Sequence, residues 1–474
     1  MTQDKDRSKG GPGDRTQVAV IGGGPGGYAA AFHAADLGLQ VTLIDPEANP
    51  GGVCLYRGCI PSKALLHVAK VVTDASEATA FGVTYAPPKL DLARLRGWKD
   101  DIIAQLTGGL GQLVQRKKIR HLQGRARFLD ARRLAVDLSG KTTELTFEHA
   151  ILATGSLAAN LPGFPPFSQR IMHSALALGI EEVPKTLLVI GGGYIGLELG
   201  SVYAALGTKV SVVEMMPGIL PGVDKDLVSV LKRRLDNVFT EILTRTKVGQ
   251  IKEQKNGVQA VLVDKNGNET VRRFAKALVA VGRVPNSANL GLETTQVKLD
   301  ERGCVQVDAQ RRTAEPSIFA IGDVAGEPML AHKASHEGKV AAAAIAGHKS
   351  AFDPRAIPAV VYTDPEIAWC GLTQSEAQEQ QRKVKVGKVP WGASGRALTL
   401  GRNTGITKII IDPESERVLG VGIAGPGAGE LIAEGTLAVE MGAVAEDLRL
   451  TIHPHPTLSE TVMEAAETLF QPGT

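Results

Sequence analysis

With 474 residues, 43% of them hydrophobic and 22% charged, the chain has the make-up of an ordinary globular protein of about three domains. Its 53 basic and 50 acidic residues leave a net charge of +3, too small for a nucleic-acid-binding surface, and runs such as Arg116–Lys118 and Lys232–Arg234 read as solvated helix faces. Four cysteines exclude an extracellular disulfide scaffold, and no apolar run approaches the roughly eighteen residues of a membrane span.

Residues 1–16 are polar and mixed in charge, without the apolar centre of a signal peptide; they read as a disordered tail on a cytoplasmic protein. Gln17–Ile21 is a short apolar run that ends in Gly22-Gly23-Gly24-Pro25-Gly26-Gly27, followed by an Ala-rich helical pattern and a second strand, Val41–Ile44, closed by Asp45. This is strand, G-x-G-x-x-G, helix, strand, acid. Gly22 allows the tight turn, Gly24 lets backbone approach a pyrophosphate, and Gly27 lets the helix pack on its strand. The helix N-terminus faces the phosphate charge and Asp45 is placed to take a ribose hydroxyl.

Gly51–Leu66 (GGVCLYRGCIPSKALL) carries Cys54 and Cys59, followed by Pro61, Ser62 and Lys63 at the head of an apolar helical pattern. In a regular helix, residues at this spacing point in different directions, so pairing the sulfurs requires an irregular turn around Gly58. A helix beginning here would bring its positive end to the thiols. Taken alone, the spacing also suits two buried thiols, while zinc lacks a second ligand pair. Cys304 and Cys370 have no near partner in sequence and read as plain buried thiols.

Residues 92–117 are helical in pattern, and residues 125–150 suggest a small antiparallel excursion before the strand Ile151–Thr154, Gly155 and Ser156. Prolines 162, 165 and 166 then mark a crossing into another domain, where the nucleotide pattern repeats. Thr186–Ile190 leads into Gly191-Gly192-Gly193-Tyr194-Ile195-Gly196, a helix, and a strand closed by Glu214. Glu214 stands 18 residues beyond Gly196, as Asp45 stands 18 beyond Gly27. Two such units imply two dinucleotides. A carboxylate accepts from a free ribose 2′-OH and repels a 2′-phosphate, so Glu214 favours NAD over NADP.

Residues 277–286 (ALVAVGRVPN) give a strand and a turn at Gly282, and Ser317–Ile321 ends at Gly322-Asp323, a carboxylate at the ligand-bearing edge of a parallel strand. His332 and His336 share a helical face without a third ligand, so no metal is expected. From residue 349 prolines punctuate strand-like runs, followed by helices from Gly429 and Thr457, the pattern of an α+β domain. It closes on His453-Pro454-His455-Pro456, with Glu460 five residues beyond His455, an arrangement open to a proton-transfer base oriented by an acid or to a plain turn before a helix.

GGVCLYRGCIPSK, ILATGS, the two fingerprints, AVGRVPN, SIFAIGDVAG and HPHPTLSE occur in the order found in the flavin disulfide reductases, the pyridine nucleotide-disulfide oxidoreductases. The chain resembles that family over nearly its whole length, and within it the branch that reoxidises protein-bound dihydrolipoamide for 2-oxo acid dehydrogenase complexes. The resemblance implies an α/β fold with two Rossmann-like domains and a C-terminal α+β dimerisation domain. FAD would be bound by residues 17–155 and 277–348, NAD by 156–276, and the homodimer built on 349–474.

The FAD residues implied are Gly22, Gly24, Gly27, Asp45, Gly52, Lys63, Thr154, Gly155, Ser156, Gly322 and Asp323, and Gly282 is a further cofactor-binding residue. For NAD they are Gly191, Gly193, Tyr194, Gly196 and Glu214. Cys54 would exchange with substrate and Cys59 would face the flavin. Lys63, paired with Glu198, would lie near the flavin, and His455 with Glu460 would be the base and its orienting acid, contributed by the other subunit. The lipoyl domain of the acyltransferase component is the implied partner. The chain departs from the family at Asp45, where Glu is usual, at Tyr56-Arg57, where Asn-Val is common between the cysteines, and at Tyr194, where some relatives carry a small aliphatic residue.

Among relatives, a glutathione reductase would call for NADPH, against Glu214, and mercuric or large thioredoxin reductases would carry a second redox pair near the C-terminus, whereas the last cysteine is Cys370. A flavoprotein acting chiefly as a scaffold in a complex is the alternative from another class.

Overall fold

A computed structural model describes residues 15–470, which fall into two compact units. The first comprises the chain to Pro61, Trp98–Leu157 and Arg283–Asp353; the second comprises Ser62–Gly97, Ala158–Gly282 and the chain from Pro354. Residues 1–14 of the expected tail lie outside the described residues. Arg15 and Thr16, assigned to that tail from polarity, open the first strand instead, because Thr16 is fully buried and pairs with Phe147.

In the first unit, parallel strands run in the order Arg120–Gln123, Val41–Asp45, Arg15–Ile21, Lys141–Leu152, Ile318–Ala320. Alternation along Gln17–Ile21 sends side chains to both faces. Val18 and Val20 pack with Ala30, Ala31 and Ala34 of the helix Pro25–Asp36. Ala19 and Ile21 pack against Phe128, Leu134, Val136 and Phe147 of an antiparallel ribbon formed by Arg125–Asp130, Arg133–Leu138 and the start of Lys141–Leu152. Small residues let the helix Ala331–Ile345 lie against Pro25–Asp36: a Cβ at Gly338 would come within 2.6 Å of the Gly26 carbonyl oxygen.

The second unit repeats this plan. Its parallel sheet runs Glu241–Leu243, Lys209–Val213, Thr186–Ile190, Lys276–Val279, Ile171–Met172. Leu187 and Val189 face the helices Tyr194–Ala205 and Lys225–Val238, while Leu188 and Ile190 face an antiparallel layer made of Lys247–Gln254, Gly257–Val263 and Glu269–Phe274. So the internal repeat extends past the glycine motif to a whole module of helix layer, parallel sheet and antiparallel layer.

The C-terminal portion of this unit is a five-stranded antiparallel sheet in the order Ala359–Val361, Glu366–Gly371, Val418–Gly425, Ile406–Ile411, Lys385–Pro390, covered by the helices Ala428–Met441 and Glu460–Glu467. The closing helix begins at Glu460, three residues after the start read from sequence, because Glu460 takes the Thr457 amide (2.8 Å) and ends the turn. Residues 158–282 and the chain from Pro354 form one compact unit together with residues 62–97. One reason is a buried ion cluster: Lys408 Nζ lies 2.5 Å from Asp224 and 2.9 Å from Asp226. Among the described residues no helix is long and apolar enough to cross a membrane.

Candidate functional site

The two fingerprints fold alike, contact for contact. Gly22 and Gly191 have φ of +106° and +107°, and a Cβ on either would lie 2.3 Å from a carbonyl oxygen, of Ala153 and Ala280 respectively. That conformation and that approach admit glycine alone. Gly27 and Gly196 seat their helices: a Cβ there would strike the Gly22 oxygen at 1.8 Å and the Gly191 oxygen at 2.2 Å. Gly24 and Gly193 are different. A Cβ at Gly24 would have only Gly52 Cα for company, at 3.9 Å, and one at Gly193 would meet no atom within 4 Å, so both leave room directly before a helix N-terminus. That is where a pyrophosphate is held by N–H groups and the helix dipole.

The acids match as well. Asp45 Oδ2 accepts from the Gly23 amide (2.6 Å) and Oδ1 from the Glu47 amide (2.9 Å); Glu214 Oε2 accepts from the Gly192 amide and Oε1 from the Met216 amide, both at 2.7 Å. Each oxygen keeps a further lone pair for a ribose hydroxyl. Burial pushes the Asp45 carboxyl up, and the two amide donors offset part of that rise. Tyr194 is the first residue of its helix and is exposed, while Gly282, at φ +118°, accepts from the Ala159 amide (3.1 Å).

At the other end of the first unit's cradle, Thr154 Oγ1 donates to the Asn286 carbonyl (2.8 Å), Gly155 accepts from the Asn286 amide (2.9 Å), and Ser156 Oγ donates to Asp323. Arg283 Nε donates to Ser156 Oγ (2.7 Å) and lies 3.9 Å from Asp323. The Gly322 amide donates to the fully buried Glu337 (2.6 Å), whose charge is met by Arg311 (2.9 Å) and Lys333 (3.2 Å). Sequence reading missed Arg283 and Glu337. The arginine stands in the GRVPN run beside the chosen Gly282, but Glu337 had no local signal. Both cradles have the tight turn, the open approach and the anchored acid that a dinucleotide calls for.

The cysteine segment breaks where its glycine stands. Cys54 lies in the short helix Gly52–Arg57, Gly58 interrupts at φ −144°, ψ −110°, and Cys59 is the first residue of the helix Cys59–Glu77. A Cβ at Gly58 would press on the Val53 carbonyl oxygen at 2.9 Å and Cys54 Cα at 3.4 Å, so the break folds tightly onto the turn that carries Cys54. Pro61 falls in the first helical turn, where its missing N–H costs no bond. Cys54 is half-buried and Cys59 exposed. Burial pushes the Tyr28 hydroxyl up, and the charges of Cys54 and Cys59 push it further, which puts both thiols within electrostatic reach of one phenol that sequence reading overlooked. Gly52, at φ +58°, would place a Cβ 2.5 Å from Gly24 Cα, joining this segment to the first fingerprint.

In the second unit Lys63 Nζ lies 2.8 Å from Glu198 Oε2 and 4.3 Å from the centre of the Tyr362 ring, and the Tyr362 amide donates to the other Glu198 oxygen (2.9 Å). The two histidines of the HPHP run separate sharply. His453, 5% exposed, presents Nδ1 to the Thr451 carbonyl (2.9 Å) and Nε2 to Glu434 (2.8 Å). Both nitrogens are engaged, so neither is open to a substrate proton. His455, 79% exposed, has only Nδ1 at Glu460 (2.9 Å), with Nε2 not engaged by that contact. The Thr457 amide first, and His455 second, hold the Glu460 carboxyl below the usual range.

Comparison with known proteins agrees with this geometry. Residues 16–338 match the pyridine nucleotide-disulphide oxidoreductase family and residues 357–466 its dimerisation domain; the chain belongs to this family. It is similar to the dihydrolipoyl dehydrogenase of Thermus scotoductus (48% identity, 96% of this chain and 97% of the relative) and to that of Haemophilus influenzae (46%, covering 96% and 95%). Among solved structures it resembles LpdA of Mycobacterium tuberculosis (TM-score 0.89, 28% identity, 96% of this chain and 100% of that one) and the HOCl-induced flavoprotein disulfide reductase RclA of Escherichia coli (TM-score 0.85, 26% identity, covering 96% and 99%).

Proposed function

We propose that the chain is an NAD-dependent dihydrolipoyl dehydrogenase that oxidises protein-bound dihydrolipoamide as the flavoprotein of a cytoplasmic 2-oxo acid dehydrogenase complex. The observation that carries this reading is the cysteine turn of Cys54, Gly58 and Cys59 abutting a fingerprint through Gly52, in a chain with a second fingerprint and an oriented histidine. The partner is the lipoyl domain of the acyltransferase component. Leu437 and Met441, one turn apart, and Leu450 and Ile452, just before His453, are exposed apolar side chains that a second copy of the chain would cover in the homodimer.

His455 of one copy, oriented by Glu460, takes a proton from a dihydrolipoyl thiol, and the thiolate attacks Cys54 Sγ in the disulfide. The Cys54–Cys59 bond breaks, a mixed disulfide forms, and Cys59 leaves as a thiolate. The second substrate thiol then attacks its own sulfur in the mixed disulfide, closing lipoamide and releasing Cys54 as a thiol. The first cradle would hold FAD and the second NAD+; bound there, they would supply the two-electron and hydride chemistry that the dithiol's oxidation requires. Lys63, fixed by Glu198, would supply a positive charge to the bound flavin, and Asp323, held by Ser156 and Arg283, would anchor it.

The test is NADH formation from dihydrolipoamide against reduced glutathione. Turnover with dihydrolipoamide alone is expected; turnover with glutathione and NADP+ would identify a different reductase. Cys54→Ser and Cys59→Ser should each abolish dihydrolipoamide turnover, because exchange needs both sulfurs.

Cofactor choice gives a separate prediction. The unmodified enzyme should prefer NAD+ strongly over NADP+. Glu214→Ala removes one charged hydrogen bond to the ribose and the repulsion of a 2′-phosphate, which should narrow the preference about tenfold to a hundredfold, as expected for an interaction of about 1.5–3 kcal/mol. Equal kcat/KM for the two cofactors in the unmodified enzyme would overturn the role given to Glu214.

A further inference from the structure

Between the two cysteines stand Tyr56 and Arg57, and both are tied back to the loop that follows Asp45. The Tyr56 hydroxyl donates to the Asn49 carbonyl (3.0 Å), and its ring packs so closely on Gly51 that a Cβ there would lie 2.9 Å from it. Gly51 in turn donates its amide to the Gly23 carbonyl (2.7 Å). Arg57 forms an ion pair with Glu47, and its guanidinium carbon lies 5.9 Å from the centre of the Tyr56 ring. Glu47 itself gives its amide to Asp45. The helix bearing Cys54 is therefore strapped to the first fingerprint at three points.

Glu47 and Arg57 are 28% and 48% exposed, and pairs of that kind contribute little to stability, typically about 0–1 kcal/mol. Their effect on charge is another matter. Arg57 stands three residues after Cys54 on the same short helix, a spacing that puts the two side chains on one helical face. The carboxylate of Glu47 cancels most of the Arg57 charge.

We propose that Glu47 sets the dithiol–disulfide balance of the Cys54–Cys59 couple by neutralising Arg57, making Glu47 and Arg57 positioning residues for the redox step. The inference rests on the redox reading of the two cysteines. In the reaction that measures it, the Cys54–Cys59 disulfide and dithiothreitol give two cysteine thiols and the cyclic disulfide of dithiothreitol. One S–S bond breaks, another forms, and two electrons and two protons pass. An uncancelled cation favours the side that carries a thiolate.

The holoenzyme and its Glu47→Gln, Arg57→Gln and double variants are equilibrated with graded ratios of reduced and oxidised dithiothreitol, quenched with an alkylating reagent, and scored by mass for alkylation at Cys54 and Cys59. Glu47→Gln should move the equilibrium constant toward the dithiol by about threefold to tenfold, equivalent to about 15–30 mV for this two-electron couple. The shift should shrink as salt is added, and vanish as the pH is lowered far enough to protonate both thiols, neither of which a packing defect would produce. Arg57→Gln and the double variant should match each other and lie within about twofold of the unmodified enzyme, since both lack the cation that Glu47 cancels. An unshifted Glu47→Gln, or a double variant shifted as far as Glu47→Gln alone, overturns the proposal. If the unmodified protein forms no disulfide between Cys54 and Cys59 under full oxidation, the proposed function falls, and this inference with it.

Discussion

His455→Gln is expected to cut dihydrolipoamide oxidation by about 100-fold or more, within the range of general-base losses, while His453→Gln leaves the chemical step within a few-fold. The asymmetry follows from what each ring faces. His453 spends both nitrogens on Thr451 and Glu434, so its substitution removes hydrogen bonds that hold a turn. His455 spends one on Glu460 and keeps the other. Glu460 is held below the usual carboxylate range by the Thr457 amide and His455, so it remains ionised under any assay condition near neutrality and keeps the imidazole in the tautomer with its proton on Nδ1. NADH oxidation by an artificial one-electron acceptor needs no thiol proton transfer and should be nearly unchanged in both variants. If the His453 variant loses dithiol turnover and the His455 variant keeps it, the base is misassigned. Equal loss of the artificial-acceptor reaction points instead to a folding or dimer defect.

Lys408→Ala should lower stability by about 3–5 kcal/mol, the usual cost of removing one partner from a buried ionic group, and Lys408→Met should cost less because it refills the space. Lys408 is 1% exposed, and Asp224, which also accepts from the Gln374 and Ser375 amides (3.0 and 2.9 Å), is 5% exposed. Burial pushes Asp224 and Asp226 up, but Lys408, with the Gln374 and Ser375 amides at Asp224 and Lys388 at Asp226, outweighs it, so both are held below the usual range. A carboxyl depressed on folding stabilises fully above its unfolded pKa of about 3.9, and that contribution is lost as pH falls through the folded value. The unmodified protein should therefore lose this contribution only below about pH 4. In Lys408→Ala burial at Asp224 is less well opposed, and the acid loss should begin at higher pH. Thermal unfolding midpoints across a pH series measure both effects, and a Lys408→Ala variant with an unchanged midpoint would show the cluster to be inert.

What could be read from the sequence depends on whether a residue's task is set by its neighbours in the chain. Gly22, Gly24 and Gly27 were legible because a phosphate cradle demands one turn, one approach and one packing contact at fixed spacing. The helix break between the cysteines was legible from Gly58 for the same reason. Glu337 and Lys408 were not, since each finds its partners only after folding, Lys408 reaching Asp226 across 182 residues. The antiparallel layer of residues 247–274 was not read from the sequence, although Asn256-Gly257 and Asn266-Gly267, which join its strands, are hairpin signals. His455 was implied as the base by the resemblance; what the coordinates add is that His453 is buried and engaged at both nitrogens, whereas His455 is exposed and engaged at one.

The doubling of one nucleotide-binding module gives the chain an internal reference. Gly27 and Gly196 seat their helices in the same way, and Asp45 and Glu214 are anchored by equivalent pairs of amides. A substitution in one copy thus has a matched control in the same molecule: Gly196→Val that loses nicotinamide nucleotide while the protein stays yellow is a local defect, whereas loss of both ligands together reports collapse of the chain. Cofactor redesign can use the same symmetry, with each copy serving as a template for how far the acid of the other can be shortened or moved before its amide anchors fail.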